Sequence, residues 1–482
     1  MFEVNVAARS IDPFAELVSS ERLAAFRETA REMRELLGGR AVWNINSTAS
    51  GGGVAEMLRS LLRYARGLGI LTRWLVLEGP PEFFRITKRL HNALHDSRGD
   101  GSPLGPAEAQ IYERVLAENA VALESFVQPG DVVVCHDPQT AGLVPHLLGR
   151  GVSVVWRCHI GHENWGVELE RGWSFLRPYV ETVPIAVFSR SAYAPPWLPQ
   201  AKMTVLMPTI DPFSAKNQPM NEEKIRSILC HVGLIDGPCA PDVVPLFMRE
   251  DGGVGRVDRR VDVVRLGPAP SWGTPLVVQV SRWDRMKDPE GVLAGFARHA
   301  ASATQHRADL VLAGPRMGAV ADDPEGPEVF AELEAAWRAL PDAVRERVHL
   351  AQLPMEDGEE NAAIVNALQR HATIIVQKSL REGFGLTVAE AMWKGRPVIA
   401  SAVGGIQDQI SDGNDGLLLS DPRDLDAFGE MIRRLLDDPA LAVRLGRAGY
   451  QRVVARSLSI TSLEHWAALL RALLGRSSRS AA

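Results

Sequence analysis

The feature that most constrains this chain is an alternation repeated along nearly its whole length. Short runs of β-branched and apolar residues are each followed by a turn signal and then by a stretch of helical period. Strands apolar on both faces belong to parallel sheets covered by helices, so the pattern requires an α/β fold with crossover connections. In the first half the expected strands are Ala41 to Ile45, Thr72 to Leu77, Asp131 to Cys135, Val152 to Cys158, Ile185 to Phe188 and Met203 to Leu206. In the second half they are Leu276 to Val280, Asp309 to Ala313, Val348 to Leu350, Thr373 to Val376 and Pro397 to Ala400. Helical stretches between them include Val54 to Gly67, Glu290 to His299, Glu328 to Ala339, Leu386 to Lys394 and Leu425 to Leu435.

Two sheets fit this pattern better than one, and 482 residues exceed what a single core usually organises. The stretch Pro208 to Trp272 has little sustained apolar period outside Glu222 to Leu229 and carries Asp211-Pro212 and Glu250-Asp251-Gly252-Gly253, so the domain junction is expected there. The segment Ile460 to Leu474 is amphipathic and runs into a Ser/Arg/Ala tail expected to be mobile.

Charge and cysteine content narrow the function classes. The 53 basic and 59 acidic residues give a net charge of −6, which offers no electrostatic reason to expect nucleic acid or an anionic membrane as partner. No apolar run approaches the ~20 residues that span a bilayer. The N-terminus carries Glu3 and Asp12 where a signal peptide needs a basic start and an apolar stretch. Cys135, Cys158, Cys230 and Cys239 form no CxxC pair and read as reduced core thiols. A cytoplasmic, non-inserted protein is expected, and the apolar fraction and sheet edges are compatible with a homodimer.

Three segments carry chemistry. Asn46 to Gly53 lies between the first strand and the next helix, and its glycines Gly51, Gly52 and Gly53 let backbone approach a ligand at a helix start. It has neither the GxGxxG order of a dinucleotide fold nor the GK[ST] of a P-loop. Ser281 to Lys287 follows a strand of the second half and places Arg282 and Lys287 at the strand end, two cations suited to a diphosphate. Glu382 to Glu390 is the strongest. Gly383 and Gly385 permit a tight backbone before a helix that starts near Leu386, and Glu390 lies one turn further in among Ala389, Ala391 and Met392. Two carboxylates beside an anion site make sense if each accepts hydrogen bonds from sugar hydroxyls. His136 with Asp137, and His159, each close a strand. Asp424-Leu425-Asp426 has a DxD form but opens a helix, where acids complement the dipole, so no metal site is expected there.

Taken together, Asn46-Ser47-Thr48 with Gly51-Gly52-Gly53, His136-Asp137-Pro138-Gln139, Trp156-Arg157-Cys158-His159-Ile160, Asp211-Pro212, Ser281-Arg282 with Lys287, and Gln377-Lys378-Ser379 leading into Glu382 to Glu390 resemble the retaining GT-B glycosyltransferases of family 4. Within that family the chain is most similar to the trehalose glycosyltransferring synthases, over about residues 35 to 470. The resemblance implies two Rossmann-like parallel-sheet domains facing across a cleft. Residues 1–211 would form an acceptor domain and 212–455 a donor domain, while 456–482 would supply a helix returning to the first domain and a mobile tail.

The resemblance also implies a nucleoside diphosphate sugar (UDP-, ADP- or GDP-glucose) as donor, a small sugar as acceptor, and no obligatory metal or tightly bound cofactor. Arg282 and Lys287 would bind the donor diphosphate, Glu382 the transferred sugar and Glu390 the ribose. Gly383, Phe384, Gly385, Leu386 and Thr387 would complete the phosphate contacts, and Gly52 and Gly53 would close over the donor. His159 would hydrogen-bond the donor sugar or the nascent linkage, with Asn46, Ser47, His136, Asp137 and Gln139 on the acceptor side. Glucose as acceptor would give an α,α-1,1 bond. After Ile160, where those synthases continue Asp-Leu-Ser, this chain has Gly161-His162-Glu163-Asn164-Trp165, which leaves a modified sugar or aminocyclitol acceptor open. A non-catalytic nucleotide-sugar sensor and an acceptor-independent epimerase of the same fold are the readings from other classes.

Overall fold

The computed structural model describes residues 1–49, 53–237, 243–302, 307–317 and 325–480. Two compact units result: Met1–Thr209 together with the chain from Ser457 onward, and Ile210–Arg456.

The first unit is built on β1 (Phe2–Val4), β2 (Val42–Asn46), β3 (Thr72–Val76), β4 (Val132–His136), β5 (Ser153–Cys158), β6 (Ile185–Phe188) and β7 (Met203–Val205). Among the described residues they form one sheet in the order β1-β3-β2-β4-β5-β6-β7. β1 is antiparallel to β3 and every other pairing is parallel. The sequence runs that read as doubly apolar are buried on both faces. Trp43, Leu75, Val133, Trp156 and Phe188 pack in one core. Val42, Val134, Val155 and Val187 pack on the other face against Leu469, Leu470 and Leu473 of the helix Ser459–Ser480. Each such side chain contributes about 1.5–3 kcal/mol when fully buried. The helix Ser20–Leu37 is capped by Ser19, whose hydroxyl accepts from Arg22 N–H. It meets Ser459–Ser480 through Arg22, whose guanidinium grips Glu464 at 2.8 and 3.1 Å.

The second unit contains a short hairpin of β8 (Leu246–Met248) and β9 (Val254–Arg256), and a sheet of β10 (Asp262–Val264), β11 (Leu276–Val280), β12 (Asp309–Pro315), β13 (Val348–Leu353), β14 (Ile374–Gln377), β15 (Val398–Ser401) and β16 (Leu417–Leu419). Its order is β10-β13-β12-β11-β14-β15-β16, with β10 antiparallel to β13 and the rest parallel.

The boundary between the units, at Thr209 and Ile210, falls inside the stretch expected as a junction, and from Ile210 onward that stretch is built into the second unit. It supplies a helix, Glu222–Val232, the β8–β9 hairpin and the sheet edge β10. Asn366 Nδ2 donates to the carbonyls of Ala215 and Gln218 at 3.1 and 2.9 Å, fastening its first residues. It reads as irregular because β8 and β9 are three residues long and bury only their central residue. The helix Ser459–Ser480 likewise runs on through the Ser/Arg residues expected as tail. No helix of the described residues is long and apolar enough to cross a membrane.

Strand order places the candidate residues. In the first sheet the chain passes from β2 outward to β3, then turns back to add β4 on the other side of β2. In the second it passes from β11 through β12 to β13, then returns to add β14 beside β11. Such reversals open a crevice at the carboxyl ends of the two central strands. Asn46 and His136 end β2 and β4, and Ser281 and Lys378 immediately follow β11 and β14.

Behind the second crevice, the helix Pro439–Arg456 supports Leu386–Trp393, with Tyr450 stacked on Trp393 at 5.2 Å. A Cβ on Gly446 would stand 2.1 Å from the Gly395 carbonyl oxygen, so this approach needs glycine. Gly446→Ala should cost on the order of 1–3 kcal/mol as overpacking and lower the thermal midpoint. An unchanged midpoint in differential scanning calorimetry would show that the two helices can part without penalty.

Candidate active site

In the second unit, the turn Arg285–Lys287 after β11 is shaped by Asp284, whose carboxylate accepts from Met286 N–H at 2.7 Å. The loop after β14 is stitched to it where Leu380 N–H donates to Met286 carbonyl at 2.7 Å. Gln279 Nε2 donates to Lys287 carbonyl at 3.0 Å. This clamp brings Lys287 and Glu382 together: the ammonium donates to Glu382 Oε2 at 2.5 Å, and Ser379 Oγ donates to the same oxygen at 3.2 Å. Lys287 and Glu382 are mostly buried. Arg282 is the more open cation, its guanidinium 42 % exposed and 3.5 Å from Asp284. Lys378, buried, pairs with Asp288 behind them.

Gly385 stands at φ 81°, left-handed backbone that suits glycine, and opens the helix Leu386–Trp393 with no side-chain cap. Gln409 Nε2 donates to the Phe384 carbonyl, and Gly405 N–H donates to the Gly383 carbonyl at 3.1 Å, which holds the turn. Phe384 is buried, while Gly383, Gly385, Leu386 and Thr387 are partly exposed around it. The first turn thus presents backbone N–H groups and a positive dipole end, suited to phosphate oxygens.

Glu390 is buried, as its neighbours in sequence imply, and its carboxylate faces Lys216 Nζ at 3.5 Å. Lys394, one turn further on, is fully enclosed. Burial drives its ammonium well below the ordinary lysine range, opposed by the Glu390 charge, and it donates to Asn217 Oδ1 at 2.8 Å. Lys216 and Asn217 lie far from Glu390 in sequence, inside the stretch expected as a junction, and no spacing signal marks them. Asp424 caps its helix by accepting from Ala427 N–H and takes part in no cluster here.

In the first unit, Asp137 is the most constrained residue. Its φ of 64° and ψ of 177° lie in a region reserved almost wholly for glycine. The conformation is fixed by five hydrogen bonds. Asp137 N–H donates to Arg157 carbonyl at 2.7 Å, Asp137 carbonyl accepts from Trp156 Nε1 at 3.0 Å and from both Thr140 N–H and Thr140 Oγ1 at 3.2 Å, and Oδ1 accepts from His159 N–H at 2.7 Å. Burial pushes the Asp137 carboxyl up to about 7, against the His159 N–H and the Arg157 charge, which favour the ionised form.

His136 Nδ1 and His159 Nε2 lie 3.1 Å apart with their rings stacked, and His136 Nε2 is 3.0 Å from Asn44 Oδ1. Burial holds both imidazoles well below the usual histidine range, so both are neutral at pH 7. The amide oxygen of Asn44 accepts only, which puts the His136 proton on Nε2 and leaves its Nδ1 to accept from His159 Nε2–H. His159 is thereby left with Nδ1 as an acceptor. Asn44 carries no motif and is legible in the sequence only as a strand residue.

The remaining expected residues divide. Asn46 is committed inside the unit, its amide oxygen accepting from Trp74 Nε1 and its nitrogen donating to Thr48 carbonyl, both at 2.8 Å. Ser47 is partly exposed. Gln139 carries a buried amide oxygen with no partner among the described residues. Gly53 is exposed and opens its helix, while Gly52 lies outside the described residues. In the divergent segment, Glu163 faces Arg190 at 3.6 Å and Trp165 Nε1 donates to Glu170 at 2.6 Å. A Cβ on Gly161 would strike the Tyr193 ring at 2.3 Å.

Comparison with known proteins places this geometry. Residues 44–195 match the family described as trehalose synthase, N-terminal domain, and residues 269–452 match glycosyl transferases group 1. A trehalose synthase of Pyrococcus horikoshii is 33% identical over 475 residues, covering 98% of this chain and 99% of its own. One of Rubrobacter xylanophilus is 33% identical over 471 residues, covering 96% and 99%. Among solved structures, a UDP-forming α,α-trehalose-phosphate synthase from Burkholderia xenovorans in complex with glucose-6-phosphate is similar with a TM-score of 0.66 at 15% identity, covering 90% of this chain and all of that one. At that identity it shows the fold, which is GT-B: two Rossmann-like domains.

The protonated state of Asp137 has a pH signature. The folded carboxyl keeps its proton to about pH 7, whereas the unfolded one loses it near 3.8, so the native state binds more protons in between and stability from this group falls as pH rises from 4 to 7. Asp137→Asn is neutral throughout. Its stability relative to the parent protein should therefore climb across that window, by on the order of 3–4 kcal/mol at full expression. Urea denaturation at a series of pH values measures this, and a pH-independent difference would mean that Asp137 is ionised in the folded protein.

Proposed function

Since the chain belongs to the trehalose synthase family of glycosyltransferases, we propose that it moves a hexose, glucose in the first instance, from a nucleoside diphosphate sugar to a sugar acceptor with retention, forming an α,α-1,1 linkage. The observation that carries this reading is the Lys287–Glu382 pair at the reversal of the second sheet, beside the uncapped helix start at Gly385. As the nucleoside diphosphate departs, negative charge grows on its phosphate. Arg282, the Lys287 ammonium and the N–H groups of Leu386 and Thr387 stabilise that charge without reorganising. Glu382, held by Lys287 and Ser379, accepts from hydroxyls of the transferred sugar, and Glu390, oriented by Lys216, accepts from the ribose. His159 offers its Nδ1 lone pair to a sugar hydroxyl, its orientation set by His136 and Asn44.

Retention follows if the acceptor hydroxyl attacks on the face the phosphate leaves, with the phosphate taking the proton. The UDP-forming character of the Burkholderia xenovorans relative, and the glucose-6-phosphate it holds, support a nucleotide-sugar donor and a glucose-type acceptor. One observation favours a second acceptor class. Gly161 to Trp165 replaces the Asp-Leu-Ser of the similar synthases with a half-exposed Trp165 and a Glu163–Arg190 pair, which suits a modified sugar or aminocyclitol. The buried thiols Cys135, Cys158 and Cys230 support a reducing, cytoplasmic setting.

A mass-spectrometric screen of UDP-, ADP- and GDP-glucose against glucose, glucose phosphates and aminocyclitols should yield nucleoside diphosphate and a non-reducing disaccharide from at least one pair. The anomeric coupling of the product reads the stereochemistry. Binding without turnover would favour a sensor, and product without acceptor an epimerase. Lys287→Ala should lower kcat by about 10²–10³ while the fold, followed by circular dichroism, persists. Turnover equal to the parent would remove Lys287 from the reaction.

A further inference from the structure

A cavity of about 80 Å³ lies beneath the first sheet, under the helices Ser20–Leu37, Gly53–Gly67 and Ser459–Ser480. Its walls are apolar, with Leu58, Leu62 and Leu470 among them, and its polar wall is made by Asn44, His136 and Arg157. His136 is satisfied at both ring nitrogens, one of them by Asn44. Arg157 is not satisfied. Its side chain is wholly buried, Nη2 reaches the Leu206 carbonyl only at 3.5 Å, and Nε and Nη1 have no protein partner. Among the described residues no carboxylate forms an ion pair with it, burial favours the neutral form of Asp137, the carboxyl whose charge acts on it, and Trp466 offers a ring face 5.4 Å away.

A guanidinium keeps its charge at neutral pH even in such a place, and a buried charge without a counterion costs several kcal/mol. Water in the cavity would satisfy N–H groups but would leave the charge uncompensated and the leucines wetted. A carboxylate supplies the missing charge and can accept from Nε or from Nη1, which point from opposite edges of the guanidinium, and a short alkyl tail matches the walls. At roughly 10–15 Å³ for each water-sized site, the cavity takes about five to eight non-hydrogen atoms.

We propose that this cavity is a binding site for a short-chain carboxylate, its head accepting from Arg157 Nε or Nη1 and its tail among Leu58, Leu62 and Leu470. The cavity shares Asn44 and His136 with the residues that orient His159, but the proposal does not depend on the assignment of the sugar substrates.

Calorimetry of the full chain with sodium butyrate, n-butanol and sodium chloride tests it. Butyrate should bind saturably at about one per chain and raise the thermal midpoint, with butanol and chloride at least tenfold weaker. Arg157→Gln should abolish butyrate binding. Should that variant not fold, Ala30→Leu fills the cavity from Ser20–Leu37 while keeping the arginine, and should lose butyrate binding at least tenfold. Equal binding of butanol would make the cavity merely apolar, equal binding of chloride would make it a simple anion hole, and undiminished binding to Ala30→Leu would place butyrate elsewhere. Each of these, or no saturable binding, overturns the proposal.

Discussion

A lysine ammonium 2.5 Å from a glutamate, at the end of two adjacent parallel strands, is the interaction on which the second unit's chemistry depends. It joins two loops far apart in sequence, and the clamp around it leaves little freedom: Leu380 N–H on Met286, Gln279 on Lys287, Ser379 on Glu382. Removing one member of such a mostly buried pair leaves the other uncompensated, a loss of about 3–5 kcal/mol. The pair also answers the question raised by two acids beside a phosphate-binding turn. Each has its own lysine, so the local charge is balanced before any ligand arrives.

The first unit uses neutral groups instead. Asn44, His136 and His159 form a chain in which one fixed acceptor determines both tautomers, and Asp137 is bent into a glycine-like conformation to hold the His159 backbone. Strain of this kind costs of order 1–3 kcal/mol and persists where surrounding bonds over-determine it. Five hydrogen bonds do so here. The two candidate sites thus differ in their electrostatics, with lysine–glutamate pairs in one and an oriented chain of uncharged Asn44, His136 and His159 in the other.

Much of this is legible from residue order. The longer strands of both sheets are readable to within three residues at either end, because parallel strands buried on both faces stand out as apolar runs, and Glu382, Gly385 and Glu390 are readable from a glycine turn before a helix. What escapes is short or non-local. β1, β8, β9, β10 and β16 are three residues each, too few to show a period. Lys216 meets Glu390 across most of the second unit's sequence, and Asn44 acts through a side chain that looks like any other strand residue. The stretch from Ile210 to Trp272 looks like connection because its elements gain their stability from the sheet and helix they pack on rather than from their own pattern.

The helix Ser459–Ser480 belongs to the first unit although the whole of the second precedes it in the chain. Until it is synthesised, Val134, Val155 and Val187 lack part of their cover and Arg157 lacks the Trp466 ring. A ribosome therefore delivers a complete second unit before the first can finish its own interior. A chain stopped between the units would leave that face of the sheet only partly covered, without the apolar side of the helix Ser459–Ser480.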